Sequence, residues 1–353
     1  MQKVAVIGTT SWGITLAVLL AKNGAAVRLW ARTSQEAAKL KTKGSDRFPG
    51  FHIPAEIFIT PKMDEAMDDV NAVVLAVPSA TMRENIARTI PCLTKTTIII
   101  SASKGLEVDS HKRMSEVIAE EINPRFHNNI CVISGPQLAR EILEGRPAAS
   151  VVASEDKATA RKAQKLLTGN DFCVFTNTDV IGVELGGALK NILALGAGIA
   201  DGLGYGDNAK AAFMTRGLTE ITALGMALGA NPLTFSGLAG LGDVITTCAS
   251  PLSRNHYVGV ELTKGRSLTE ILQSMHQVAE GVNTTFAAYQ LAQQLGMEMP
   301  ITEKIYEVLY KNAKPVKAAR DIMGGNAKHE LAGRRWRLFS LYRHQKRTTT
   351  ITT

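Results

Sequence analysis

The first half of the chain alternates short, continuously apolar runs with helix-like stretches. No other feature restricts its fold as tightly. The runs are 3–8 (KVAVIG), 26–31 (AVRLWA), 72–77 (AVVLAV), 96–102 (TTIIISA), 129–134 (NICVIS), 148–153 (AASVVA) and 172–176 (FCVFT). Several have no polar interruption, as strands covered on both faces should. Helix-like segments lie between them at 12–23, 34–43, 80–90, 110–122 and 155–168. This β-α-β-α order predicts an α/β fold with a doubly wound, mostly parallel sheet.

After about residue 180 the strand-like runs disappear. Segments rich in Ala, Leu and Gly follow at 182–200, 207–229, 255–263, 267–274, 281–295 and 300–311. Glycines and prolines break them at 202–206, 229–232, 236–242 and 296–300. We therefore expect an α/β domain over 1–180 and an all-α domain over 181–330. The ligand is expected in the cleft between them, at the carboxyl ends of the strands.

The 353 residues allow two domains of ordinary size, and 45% hydrophobic content is typical of a globular chain. No unbroken apolar run reaches the roughly 18–20 residues of a membrane span. The N-terminus runs straight into an apolar strand without a signal-peptide layout. Cys92, Cys131, Cys173 and Cys248 are scattered, so neither a disulfide framework nor a metal site is indicated. These features predict a cytoplasmic protein with reduced thiols. The formal charge of +8 is concentrated in residues 331–353, which hold six basic residues and no acid. The other residues carry 34 basic groups against 32 acidic ones. A solvated, disordered tail is the expected reading, and nucleic acid is not an expected partner. The alternative is a tail that contacts RNA or anionic lipid.

Residues 8–13 read G-T-T-S-W-G, at the first strand–helix junction. A dinucleotide turn has the pattern G-x-G-x-x-G at this place. Gly8 and Gly13 match it, whereas Thr10 replaces the middle glycine. The helix start would offer free N–H groups and a positive dipole end to a pyrophosphate. The alternative is an ordinary turn with Ser11 near the cap. The second strand ends in Trp30-Ala31-Arg32, without the acid that often binds a ribose 2′-hydroxyl. Arg32 can grip a 2′-phosphate, which favours NADP over NAD. Otherwise it is a surface arginine.

Further candidates follow the later strands. Lys104, in Ser103-Lys104-Gly105, should point into the cleft, and Ser134-Gly135-Pro136 offers bare backbone beside it. Residues 182–191 read G-V-E-L-G-G-A-L-K-N and contain Glu184 and Lys190. Lys190 lies in an apolar, small-residue stretch. Desolvation there disfavours an ammonium, which suits a group that gives and takes a proton. A snorkelling lysine is the alternative. In G-L-A-G-L-G-D (237–243) a flexible stretch ends on one carboxylate, Asp243, able to hold an ammonium. Ser253-Arg254-Asn255 can bind a phosphate or polyol from several directions, and Glu280 adds an acid at a loop–helix junction.

Taken in order, G-x-x-S-W-G, S-K-G-L, S-G-P, G-V-E-L-x-G-x-L-K-N, G-L-G-Y-G-D-N-A-K-A-A, G-L-A-G-L-G-D, S-R-N and A-E-G-V resemble the bacterial-type NAD(P)-dependent glycerol-3-phosphate dehydrogenases. The resemblance covers roughly residues 3–330. It implies a Rossmann domain followed by a helical domain. It implies reversible reduction of dihydroxyacetone phosphate to sn-glycerol 3-phosphate for glycerophospholipid synthesis, with NADP or NAD as cofactor, by a homodimer. It implies that Gly8, Thr10, Ser11, Trp12, Gly13, Arg32 and Ala139 serve the cofactor. Lys104 serves cofactor and substrate, and Gly135 and Gln137 line the substrate. Lys190 is implied as the proton acceptor in the oxidative direction. Asp243, Ser253, Arg254 and Asn255 are implied to bind substrate, and Arg254, Val278 and Glu280 to close on the cofactor.

Two positions depart from the family pattern. Thr10 stands for a glycine, and we expect a displaced loop whose Thr10 hydroxyl, or a water, bridges to phosphate. Gln137 stands for a small hydroxyl residue, which bears on substrate fit. The competing functions are a related dehydrogenase of another phosphorylated or carboxylated alcohol and a non-catalytic NADP-binding protein.

Overall fold

The computed structural model describes residues 1–275 and 277–324. The basic segment 331–353 lies outside the described residues, and so does the expectation placed on it. Among the described residues, eight strands form one sheet: β1 (Lys3–Ile7), β2 (Ala26–Trp30), β3 (Phe58–Thr60), β4 (Ala72–Leu75), β5 (Ile98–Ser101), β6 (Ile130–Ser134), β7 (Ala148–Ala153) and β8 (Phe172–Asn177). Their spatial order is β3-β2-β1-β4-β5-β6-β7-β8. Only the β6–β7 pair is antiparallel. The order reverses between β1 and β4, which opens a crevice at their carboxyl ends.

The apolar runs are the strands because both sheet faces are covered. Val4, Val6, Leu29, Val74 and Ile100 belong to the core on one face. Ala5, Ile7, Val73, Leu75 and Ile99 belong to the core on the other. Alternating residues therefore point to opposite, equally dry sides. β3 escaped the sequence reading because it has three residues and one of them, Phe58, is exposed.

From Val180 onward the chain is helical. The helix Val180–Gly202 is the axis of this part, and nineteen of its residues are buried. By length and composition alone it could cross a membrane, but 89% of its apolar window is buried inside the protein. Its glycines serve close approach, a Cβ on Gly198 falling 2.1 Å from the His256 carbonyl oxygen. A Cβ on Gly259 of the neighbouring helix (Arg254–Thr263) would sit 2.1 Å from the Leu195 carbonyl oxygen. Small residues thus bring backbone against backbone and set the Arg254–Thr263 helix against the central one. The G-L-A-G-L-G stretch, expected to be flexible, is instead a π-helical turn (Leu238–Gly242) running into the helix Asp243–Ala249. Such turns are rare and recur at functional sites.

Candidate active site

A cleft of about 690 Å³ opens at the β1–β4 crevice and extends to the helical part. That lies within the roughly 300–1,000 Å³ of ligand sites. Gly8 has φ +111, and a Cβ there would lie 2.6 Å from the Ala76 carbonyl oxygen. Only glycine lets the end of β1 pass so near the end of β4. Gly13 lies behind the turn, where a Cβ would meet the Gly8 carbonyl oxygen at 2.1 Å.

Thr10 corrects an expectation. Its φ of −63° is ordinary for any residue, and it is the N-cap of the helix Ser11–Lys22. Its Oγ1 accepts from the Gly13 N–H at 3.0 Å and donates to the Ala76 carbonyl at 2.8 Å. Its one proton is therefore engaged inside the protein and is not aimed at a phosphate. The first-turn N–H groups of Ser11 and Trp12 remain for an anion. Ser11 Oγ donates to Gln277 Oε1 at 2.8 Å, so the turn touches the segment before Glu280. Trp12 lines the cleft, and its buried Nε1 has no partner among the described residues. The free N–H groups of this helix start fit a dinucleotide phosphate.

The far end of the cleft corrects a second expectation. Arg32 lines it, as expected. An acid is present too. Glu36, one turn into the next helix, accepts from the Arg32 backbone N–H at 3.0 Å and from Thr9 Oγ1 at 2.5 Å. Glu36 is the N3 residue above the Thr33 cap, and it folds back over the strand end as helix-start acids do.

At the opposite end, Asp243 is buried, with its side chain 2% exposed. Its Oδ2 lies 2.5 Å from Lys104 Nζ and its Oδ1 2.9 Å from Lys190 Nζ. Lys104 also donates to the Gly135 carbonyl at 2.9 Å. Lys190 donates to Thr247 Oγ1 at 2.5 Å, and Thr247 donates to Asp243 Oδ1 at 3.1 Å. One carboxylate thus holds two ammoniums. Burial alone would raise the Asp243 carboxyl, but the two lysines override it and hold it below its usual range. Burial pushes Lys104 down to about 8, with Asp243 opposing and Lys190 assisting.

Ser253 caps the helix Arg254–Thr263 and lines the cleft. Arg254 also lines it and donates to the Val278 carbonyl at 2.8 Å. Asn255 Nδ2 donates to Asn191 Oδ1 at 2.9 Å, and its Oδ1 accepts from Gly281 N–H at 2.9 Å. Glu280 lines the cleft while gripping Ser79, accepting from its N–H at 3.1 Å and its Oγ at 2.6 Å. Burial pushes the Glu280 carboxyl up despite these bonds. Ala139 and Val278 complete the wall. Gln137 lines it as well. Its Nε2 donates to Ser150 Oγ at 2.9 Å, and its buried Oε1 has no partner among the described residues.

Of the residues singled out from sequence, Glu184 falls outside. Its carboxylate accepts from Arg113 Nη1 at 2.7 Å and from the Ser115 N–H at 2.8 Å, joining the central helix to the Met114–Glu121 helix. Gly135 and Gly13 shape the site without lining the cleft. Sequence reading missed Asn191, Thr247 and Arg47, which line it. Thr247 was findable, since it lies four residues after Asp243 on one helix face.

The family model described as NAD-dependent glycerol-3-phosphate dehydrogenase N-terminus matches residues 3–160, and its C-terminus counterpart matches 179–320. The chain is 59% identical over 349 residues to a glycerol-3-phosphate dehydrogenase (NAD(P)+) of Dehalococcoides mccartyi, covering 98% of this chain and 97% of that one. A Shouchella clausii protein of the same description is 47% identical over 94% of this chain and 98% of its own. The crystal structure of a Coxiella burnetii glycerol-3-phosphate dehydrogenase superposes with a TM-score of 0.86 at 35% identity, covering 91% of this chain and 98% of that one. The chain belongs to the NAD-dependent glycerol-3-phosphate dehydrogenase family.

Proposed function

We propose that the protein catalyses the reversible NAD(P)H-dependent reduction of dihydroxyacetone phosphate to sn-glycerol 3-phosphate, whose product feeds glycerophospholipid synthesis. The observation that carries this reading is the buried Asp243 shared by Lys104 and Lys190 at one end of a cleft whose other end is a dinucleotide turn. When bound, the nicotinamide supplies the hydride in reduction and takes it back in oxidation. The chain supplies the rest. Lys190 gives its proton to the carbonyl oxygen as negative charge grows there, and recovers one from the hydroxyl in reverse. Asp243 and Thr247 aim that ammonium. Lys104 adds a second positive charge beside it. Ser253, Arg254 and Asn255 fix the phosphate, which lies away from the reacting carbon and so positions it. Gln137 closes the substrate wall, and Gly135 shapes the substrate end by holding Lys104 through its carbonyl. Gly8, Ser11, Trp12, Gly13, Ala139, Arg254, Val278 and Glu280 hold the cofactor, with Thr10 acting through the helix cap.

The same proposal divides the chain into a cofactor domain over 1–180 and a substrate domain over 181–330. It includes NADPH as the preferred cofactor, supported by Arg32 on the cleft wall. It also includes a homodimer, on family grounds, and a cytoplasmic location, supported by four free thiols.

The test is consumption of NADPH by the purified chain with a panel of ketones. Dihydroxyacetone phosphate should turn over. Unphosphorylated dihydroxyacetone should be weaker in kcat/KM by at least about 100-fold, the worth of two charge-assisted bonds. Faster turnover of a 2-keto acid than of the phosphate would overturn the reading.

A further inference from the structure

The cleft carries a second guanidinium at its β2 end. Arg47 lines the wall with Arg32, although it belongs to the segment 44–57, after the helix Ser34–Lys43. That segment folds back on itself. Gly44 takes φ +73, where a Cβ would meet the Phe51 carbonyl oxygen at 2.4 Å. Phe48 is buried, its ring centroid 6.3 Å from that of Phe51. The Arg47 N–H donates to Ser45 Oγ at 3.2 Å. Arg47 is thus half-buried on a packed turn and not on a free arm.

The charges around it are unbalanced. Neither Arg32 nor Arg47 has an ion-pair partner among the described residues. Neighbouring Asp46 is bonded by Lys39. Glu36, the nearby acid, is engaged by Thr9 and the Arg32 backbone. Burial is the main influence holding the Arg47 guanidinium below its usual value; Arg32 adds to it, and Glu36 and Asp46 oppose it. A half-buried guanidinium (Arg47) and an exposed one (Arg32) on the same cleft wall match the charge of a phosphate dianion. Glu36 matches the opposite chemistry, because a carboxylate accepts from a hydroxyl and repels a phosphate.

We propose that Arg47 is, with Arg32, a ligand of the cofactor's 2′-phosphate, and that Glu36 opposes this pair as acceptor for an unphosphorylated ribose 2′-hydroxyl. The corner then sets the ratio of NADPH to NADH use. This rests on the cleft being the NAD(P)H site.

The experiment is steady-state kinetics with dihydroxyacetone phosphate, NADPH and NADH, on the wild type, Arg32→Ala, Arg47→Ala, Arg47→Lys and Glu36→Gln. Arg47→Ala should raise KM for NADPH by at least about tenfold, leave KM for NADH within about twofold and leave kcat unchanged, as loss of a charge-assisted bond remote from the chemistry does. Arg47→Lys should recover part of the NADPH affinity, and Glu36→Gln should raise KM for NADH while lowering it for NADPH. A rise in both KM values together, or in neither, with Arg47→Ala would overturn the proposal. An NADPH-specific effect of Arg32→Ala without one at Arg47 would overturn it while leaving the cofactor reading intact. Absence of turnover with either cofactor would overturn both.

Discussion

Replacing Asp243 with Asn removes the one charge that lets two ammoniums share a buried pocket. The amide keeps the shape and can still accept hydrogen bonds. Breaking a buried, hydrogen-bonded ion pair costs about 3–5 kcal/mol. Lys104 has a cheaper escape. Its pKa is pushed down to about 8 even with Asp243 present. Losing its proton at pH 7 therefore costs about 1.4 kcal/mol, one pKa unit. Asp243 acts to raise that pKa, so in the variant the cost is smaller still. The cleft then sheds an ammonium, and Lys190 loses the carboxylate that aims it. With the worth of the remaining Lys190–Asp243 pair realised in the transition state, kcat/KM should fall roughly 150- to 4,000-fold. The assay is NADPH consumption with dihydroxyacetone phosphate across a pH series. In the wild type, kcat/KM should hold below about pH 8 and decline above it, because Lys104 is charged below its pKa and neutral above it. In Asp243→Asn the decline should begin at lower pH. A variant within about fivefold of wild type, declining at the same pH, would refute the shared-carboxylate reasoning.

Two further changes probe the scaffold. Thr10→Ala removes the cap on the Ser11–Lys22 helix and the bond to Ala76, and should lower the unfolding free energy from urea denaturation without cofactor by about 1–2 kcal/mol; an unchanged midpoint and slope would show that the cap carries no stability. Gly259→Ala places a Cβ 2.1 Å from the Leu195 carbonyl oxygen, so it should destabilise by about 1–3 kcal/mol and raise KM for dihydroxyacetone phosphate by displacing Ser253 and Arg254. Wild-type stability and KM there would show that the two helices yield at no cost.

Much of the fold was legible because burial on both faces writes itself as unbroken apolar runs, as in Ile98–Ser101 with its Ile-Ile-Ile. The antiparallel β6–β7 pair was not legible, since direction leaves no mark in an apolar run. Lys190, Asp243 and the 253–255 trio could be picked out because charged residues among glycines and alanines stand apart. Glu184 shared that contrast and yet joins two helices, so contrast marks buried polar joints as well as chemistry. Thr10 was misjudged because G-x-G-x-x-G scores a missing glycine, whereas the backbone there keeps φ −63 and asks for a cap. Arg47 and Glu36 were missed for a tertiary reason. A packed turn and a helix start bring them to the strand end, and only Arg32 is there by sequence position.

The most direct test sets Lys190→Ala beside the wild type, measuring NADPH-dependent reduction of dihydroxyacetone phosphate and NADPH affinity in the same preparations. The wild type should turn over. The variant should be slower in kcat by at least about 100-fold with NADPH affinity within about twofold, as for loss of a general acid–base group. A wild type inactive with both NADPH and NADH, or a variant as fast as the wild type, would contradict a Lys190-centred ketone reductase.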